Sequence, residues 1–555
     1  MKKYYQLIRS VAWAAGIFSL IICLLMIANY VQTLSVDPLE SPALDKLIKQ
    51  LDENPKNETL RHEIRALDLL ARKAYFTSIW QLEVGGYLLL CGIIIALAAA
   101  KIAANIKKEL PNPKTQGETK MQWLEDSKAR RITMIAGGVI LVLAVISGFL
   151  ARNDLKNDSV FAASAAYPSI DEIQQNWPGF RGPWGNGHAF VKSIPTEWDG
   201  ESGKNILWKT EVPKKGFNSP IVWEDKVFLA GGNKKVREVY CFSAKDGKIL
   251  WQKPVPQLPG STSEEVDIDE GTTYAAPTMT TNGKSIFAVF PTGELVCFSI
   301  NGDFLWGQNL GVPDNHYGHS SSLIMHENLL FVQIDDASKP RLMAFDISNG
   351  KFAWEAKRDA MSWSSPILVN TGKRMELILT NSKNVTSYEP SSGKVLWTQE
   401  CLSGEVGPSA AYADGMVFAV NEYAQGSGIK INSDGSSEIL WTIYDNLPNT
   451  SSPAATDKFM LMATADGYLS CLEAKTGEVI WEQEFDYGFY GSPIIIGDLV
   501  YLNDLKGITH IFKLADKYEA VAGNKLGEGT STTLAFSKGR IFIHSDKHLF
   551  CIGTN

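Results

Sequence analysis

Asp314, His316 and His319 stand close together in the run DNHYGHSSS. Imidazole nitrogens and a carboxylate are ligands for zinc and its neighbours, but such sites need three or four converging donors. No cysteine or further histidine is spaced to join these, so they are expected to be hydrogen-bonding loop residues and no metal is expected. The acidic stretch SEEVDIDEGTT, residues 263–273, offers oxygens for calcium. It lacks the alternating ligand spacing and turn glycine of a calcium loop, so it reads as a solvated rim. The cysteines show neither C-x-x-C nor C-x-x-C-H. Cys241, Cys297, Cys471 and Cys551 recur at one place in VYCFS, LVCFS, LSCLE and LFCIG, as small buried packers do. With no G-x-S-x-G, phosphate loop or zinc-protease signature, no catalytic residue is assigned.

A further set is defined by position. Phe217, Asn218, Tyr274, Tyr317, His319, Trp363, Asn449, Phe489 and Tyr490 each stand just ahead of a short apolar run that opens a repeating unit. Brought together, aromatic and amide groups around a concave mouth would bind a sugar or an extended peptide by stacking and hydrogen bonding. The same residues would equally well plug and pack that mouth.

The elements that would gather them follow from the repeat. Units end on Trp208, Trp251, Trp306, Trp354, Trp397, Trp441 and Trp481, 40 to 55 residues apart, the longest interval holding the acidic stretch. Such a period signals a propeller or solenoid. Each unit contains four short alternating runs, for example NSPIVWED, KVFLAGG, EVYCFSA and GKILWQ, which are the strands of one blade. The tryptophans are expected to dock each blade on the next. A degenerate unit runs to Val521, with valine in the tryptophan's place, and TSTTLAFSKGRIFIHSDKHLFCI then supplies three strands. The missing fourth is the early strand NILWKTEV, 205–212, so pairing of the two ends closes a ring of eight blades and leaves no open edge.

The turns AKDGKILW, AKTGEVIW and PSSGKVLW, with the entry stretch NWPGFRGPWGNG at 176–187, resemble the PQQ-like (quinoprotein-like) propeller repeat. That superfamily includes PQQ dehydrogenases and the BamB-type outer-membrane assembly factors. The resemblance implies an all-β, eight-bladed propeller over 176–555. For the dehydrogenases it implies PQQ on an aromatic platform, calcium and an aspartate base. None of these positions is matched here, and the adjacent cysteines of many such enzymes are missing. For the assembly factors it implies binding of partner proteins by loops or strand addition.

Ahead of the propeller, three apolar runs are long enough to cross a bilayer: 11–31, 80–106 and 132–151. Lysines and arginines crowd the tail 1–10 and the linker 107–131, which places both in the cytoplasm. The helical loop 32–79 and, after the linker 152–175, the propeller then lie outside the cytoplasm. The expected location is the inner (cytoplasmic) membrane, multi-pass, with the lipid bilayer as one partner and envelope proteins or a peptide or sugar ligand as the others. A net charge of −8 without basic blocks argues against nucleic acid. The sequence therefore points to a membrane-anchored, non-catalytic scaffold or ligand-binding module with no cofactor. The alternative is a membrane-bound dehydrogenase that uses PQQ with calcium to oxidise an alcohol or sugar.

Overall fold

The computed structural model describes residues 2–35, 85–105, 167–261 and 265–554. They fall into two units divided after Arg152. In the first, helix α1 spans Lys2–Ser35 and helix α2 spans Gly85–Asn105, and both are long and apolar enough to cross a membrane. The helices meet through small residues. A side chain at Gly92 would collide with Ser19, and one at Gly85 with Met26. Ala99 and Ala103 are buried along α2, while Trp13, Leu20, Leu90 and Leu97 are exposed. Small residues let apolar helices approach closely where water cannot drive association. The third expected span, 132–151, and the loop 32–79 lie outside the described residues.

The second unit is an eight-bladed β-propeller of four-stranded antiparallel sheets. Seven blades are built in chain order, over residues 221–254, 280–309, 324–357, 367–400, 411–443, 454–484 and 494–525. The eighth is composite. Strands 535–537, 540–544 and 548–552 are completed by the early strand Ile206–Glu211, whose Trp208 lies opposite Cys551. The region expected to be a linker up to residue 175 joins this unit from Tyr167, whose hydroxyl donates to the Met325 carbonyl. A short helix, Ile170–Gln175, follows with a Ser169–Glu172 capping box.

One local device recurs in every blade. The register slips by one residue just before the tryptophan position, so that Leu250, Leu305 and Leu396, for example, bulge out of their ladders. A bulge bends the strand and re-aims the next side chain. The residue opposite the tryptophan is small: Cys241, Cys297, Ala344, Ser387, Gly428, Cys471 or Cys551. Burial pushes the four cysteine thiols up to about 12, as suits packers rather than nucleophiles. Six of the seven indoles then reach the following blade. Trp208, Trp251, Trp306, Trp354, Trp441 and Trp481 donate from Nε1 to the carbonyls of Ala244, Ile300, Ile347, Pro390, Ala474 and Ala515 at 2.8–3.2 Å. In several slots a turn glycine lies against the ring. Gly350, at φ +68°, would put a Cβ 2.5 Å from Trp306. Trp397 departs from the pattern and donates to the buried Glu376 carboxylate of its own blade, at 2.8 Å.

The degenerate seventh blade corrects the expected alignment. Val521 is the bulged residue, and Ala522 takes the tryptophan position opposite Ile511, so large and small have changed places. Trp198, from the segment ahead of the first strand, joins the same buried cluster as Ile511. Its amide is held by Asn524 Oδ1 at 3.0 Å.

Around the channel the blades are tied by hydroxyls. The backbone N–H groups of Ser219, Thr278, Ser322 and Ser365 donate to the side-chain oxygens of Thr278, Ser322, Ser365 and Ser409 at 2.8–3.1 Å. Those of Ser409, Ser452, Ser492 and Thr533 donate to Ser452, Ser492, Thr533 and Ser219 at 2.9–3.1 Å. The ring is closed, with one residue from each blade. Replacing Ser365 by alanine should strand the buried Ser322 N–H and cost about 1–3 kcal/mol. Ser365→Thr keeps the acceptor and should lose much less. Urea unfolding of the full chain in detergent, followed by tryptophan fluorescence, separates the two; equal losses would mean that the hydroxyl is not what joins the blades.

Candidate functional site

One end of the channel is sealed by the segment 176–190. Trp177 pairs with Val222 in the first blade, Thr281 donates to the Pro178 carbonyl, Asn186 clasps Tyr412, and His188 bridges to Ile495. At its centre Arg181 is fully buried and donates to the carbonyls of Ala410 (3.0 Å) and Pro453. Among the described residues it has no carboxylate partner, and burial lowers its guanidinium to about 9, still charged at neutral pH. Phe180 of the same segment rises to the floor of a cavity on the far side of the hydroxyl ring.

That cavity, about 850 Å³, is the open mouth. Of the residues expected there, Phe217, Tyr317, Trp363, Asn449 and Tyr490 line it. Tyr317 meets Trp363 edge-on with centroids 5.5 Å apart, and Trp363 Nε1 donates to Asn315 Oδ1 at 3.3 Å. The other four do not line it. Asn218 is buried and spends its amide on the Ala230 and Ala275 carbonyls at 2.7 and 2.8 Å and on the Ala230 N–H. His319 is buried against the Gly311 carbonyl at 3.1 Å, and desolvation lowers its pKa. Phe489 packs against Phe485 and His510. Tyr274 is tethered by its hydroxyl to the Val266 carbonyl and lies under Arg237. His316 stacks on Tyr317 with centroids 3.9 Å apart.

The charged lining extends beyond the acidic stretch that the sequence marks as a rim. Asp269 and Glu270 come from the acidic insertion, Glu405 from the connection into the fifth blade, Glu422 from a turn within it, and Asp546 from the last turn of the composite blade. Tyr423 joins them beside Glu422. Against these five carboxylates the described lining has one ammonium, Lys215, parked over the Phe217 ring at 4.8 Å. The acidic insertion is thus part of the mouth, pinned by Asp269 N–H to the His316 carbonyl at 3.2 Å. A signal for Glu422, Tyr423 and Asp546 was present. In an antiparallel blade the turn between second and third strands emerges on the same face as the connection between blades, and NEYAQG and SDKH are such turns.

Behind the mouth, His544 donates from Nδ1 to the Asn218 carbonyl at 2.9 Å, and complete burial lowers its pKa to about 4. Above pH 6.5 the ring is neutral in both folded and unfolded chains and has no effect. Between pH 6.5 and 4 only the unfolded chain takes up the proton, so the propeller should lose about 3 kcal/mol through this group. His544→Gln should flatten that part of a stability-against-pH profile measured by urea unfolding. An unchanged slope would remove His544 from the account.

The repeat family described as outer membrane protein assembly factor BamB matches residues 185–317, 275–404, 338–451 and 432–526. BamB of Yersinia pestis is 22% identical over 342 residues, covering 58% of this chain and 80% of that protein. The tetrathionate hydrolase of Acidithiobacillus ferrooxidans is 23% identical over 358 residues, covering 55% of this chain and 66% of that one. Among solved structures, a quinohemoprotein alcohol dehydrogenase of Pseudomonas putida aligns with a TM-score of 0.54 at 11% identity, over 69% of this chain and 81% of its own. At that identity the likeness is one of fold alone.

Proposed function

The chain belongs to the BamB family of outer membrane protein assembly factors, and from that membership we propose that its propeller is a membrane-anchored scaffold that binds envelope proteins outside the cytoplasm. The observation that carries this reading is the asymmetry of the channel. One end is closed by the Arg181 segment, and the other opens into a wide mouth built from loops. Loops on a rigid scaffold suit recognition, since they vary without disturbing the fold. The two apolar helices support an anchor, and the run 132–151 would supply a third span that leaves the propeller on the far side of an inner membrane.

The dehydrogenase reading fits the mouth poorly. PQQ is itself a tricarboxylate, and five lining carboxylates against one ammonium repel it. Calcium takes six to eight oxygen ligands. Among the described residues no group of three or more His, Cys, Asp or Glu is arranged to hold a metal ion.

A photo-crosslinking residue introduced at Tyr490, on the mouth, should yield discrete envelope-protein adducts in the source cells. The same residue at Lys475, in a turn on the opposite face, should not. In parallel, PQQ with calcium added to the purified full chain should leave its tryptophan fluorescence unchanged. Absence of adducts at both positions, or saturable calcium-dependent quenching by PQQ, would overturn the reading.

A further inference from the structure

One sector of the mouth brings three rings and three carboxylates together. Tyr317 and Trp363 stand edge to face. Burial, then the charges of Glu405 and Asp269, hold the Tyr317 phenol above its usual pKa; both acids line the same mouth, and Asp269 is tied by its N–H to the carbonyl of His316, next to Tyr317, at 3.2 Å. Tyr423 completes the group: a hydrogen bond to Glu422, reinforced by the charges of Glu422 and Glu405, raises its phenol as well. Asp269 Oδ1 accepts from the Gly271 N–H at 2.8 Å and Glu422 from the Tyr423 phenol, but among the described residues no cationic side chain is paired with any of the three acids, and the one lining ammonium lies over Phe217.

We propose that this sector recognises lysine or arginine side chains of a basic, extended peptide segment; the proposal rests on the scaffold reading and specifies its partner's chemistry. Aromatic faces attract organic cations, more strongly where water is partly excluded, and unpaired carboxylates supply the counter-charge. A neutral sugar would leave those acids without partners. A single small cation would use only part of the site, because Asp546, in the eighth blade, stands apart from the sector that gathers Asp269, Glu405 and Glu422. A cavity of about 850 Å³ holds several peptide residues, and an extended chain with cations at intervals reaches more than one of these groups.

The test is calorimetric titration of the full chain in detergent with a blocked Gly-Lys-Gly-Arg-Gly-Lys peptide, its glutamate counterpart, spermine and maltohexaose. The basic peptide should bind saturably and weaken several-fold as salt rises from about 50 to 300 mM. The near-isosteric double substitution Glu405→Gln/Glu422→Gln should weaken it about tenfold, and Trp363→Ala by a similar factor. Tighter binding of the acidic peptide or the sugar, or indifference to the glutamine substitutions, would overturn the proposal. Spermine binding as tightly as the peptide would overturn the peptide assignment. Crosslinks at Tyr490 that persist while the basic peptide fails to bind would leave the scaffold and remove the basic partner. Peptide binding without crosslinks would do the reverse.

Discussion

Everything at the mouth depends on closure of the hydroxyl ring. Eight sheets have no reason to stay at one radius unless each is tied to the next, and the tie is an N–H to side-chain oxygen bond repeated from Ser219 round to Thr533 and back. Each bond satisfies a buried donor that the innermost strand, having no neighbour towards the axis, cannot satisfy in a ladder. Because the ring is cyclic, loss of one bond loads the two blades beside it. The composite eighth blade is what makes the cycle possible: Ile206–Glu211 pairs with the last strand and couples the two ends of the propeller.

At the outer radius a different interaction sets the spacing. The bulge, the small residue opposite and the indole form one unit, and the indole's Nε1 reaches a carbonyl in the next blade. The seventh blade shows that the geometry matters more than the residue. Ile511 with Ala522 fills less space than a tryptophan with its small partner, and Trp198 from outside the repeat joins the buried cluster that holds Ile511.

The repeat made the architecture legible: a seven-fold tryptophan period, four runs per unit, and a surplus strand at one end matching a deficit at the other. The mouth was legible only in part, for two physical reasons. Successive residues of an extended chain point to opposite sides, so beside Phe217 on the lining stands Asn218 in the interior, and beside Tyr490 stands Phe489. Alignment by blade does not choose between such neighbours. The candidates were also drawn from the connections between blades, whereas Glu422, Tyr423 and Asp546 sit in turns within blades that share the face. The role of Arg181 was hidden because a channel plug has no local periodicity. Its partners, Ala410 and Pro453, are more than 200 residues away in sequence.

The plug and the mouth are best understood together. A propeller channel exposes inward-facing carbonyls at the ends of its innermost strands, and at the closed end Arg181 meets them with a buried positive charge that no carboxylate among the described residues neutralises. Its other neighbour in the plug, His188, has its pKa lowered by desolvation and by that same charge. At the open end the imbalance has the opposite sign, with five carboxylates to one ammonium. The Arg181 charge is desolvated and tied down by backbone carbonyls, whereas the mouth carboxylates are exposed to solvent. A buried positive charge held by carbonyls at one end and exposed negative charge at the other give the channel an electrostatic direction.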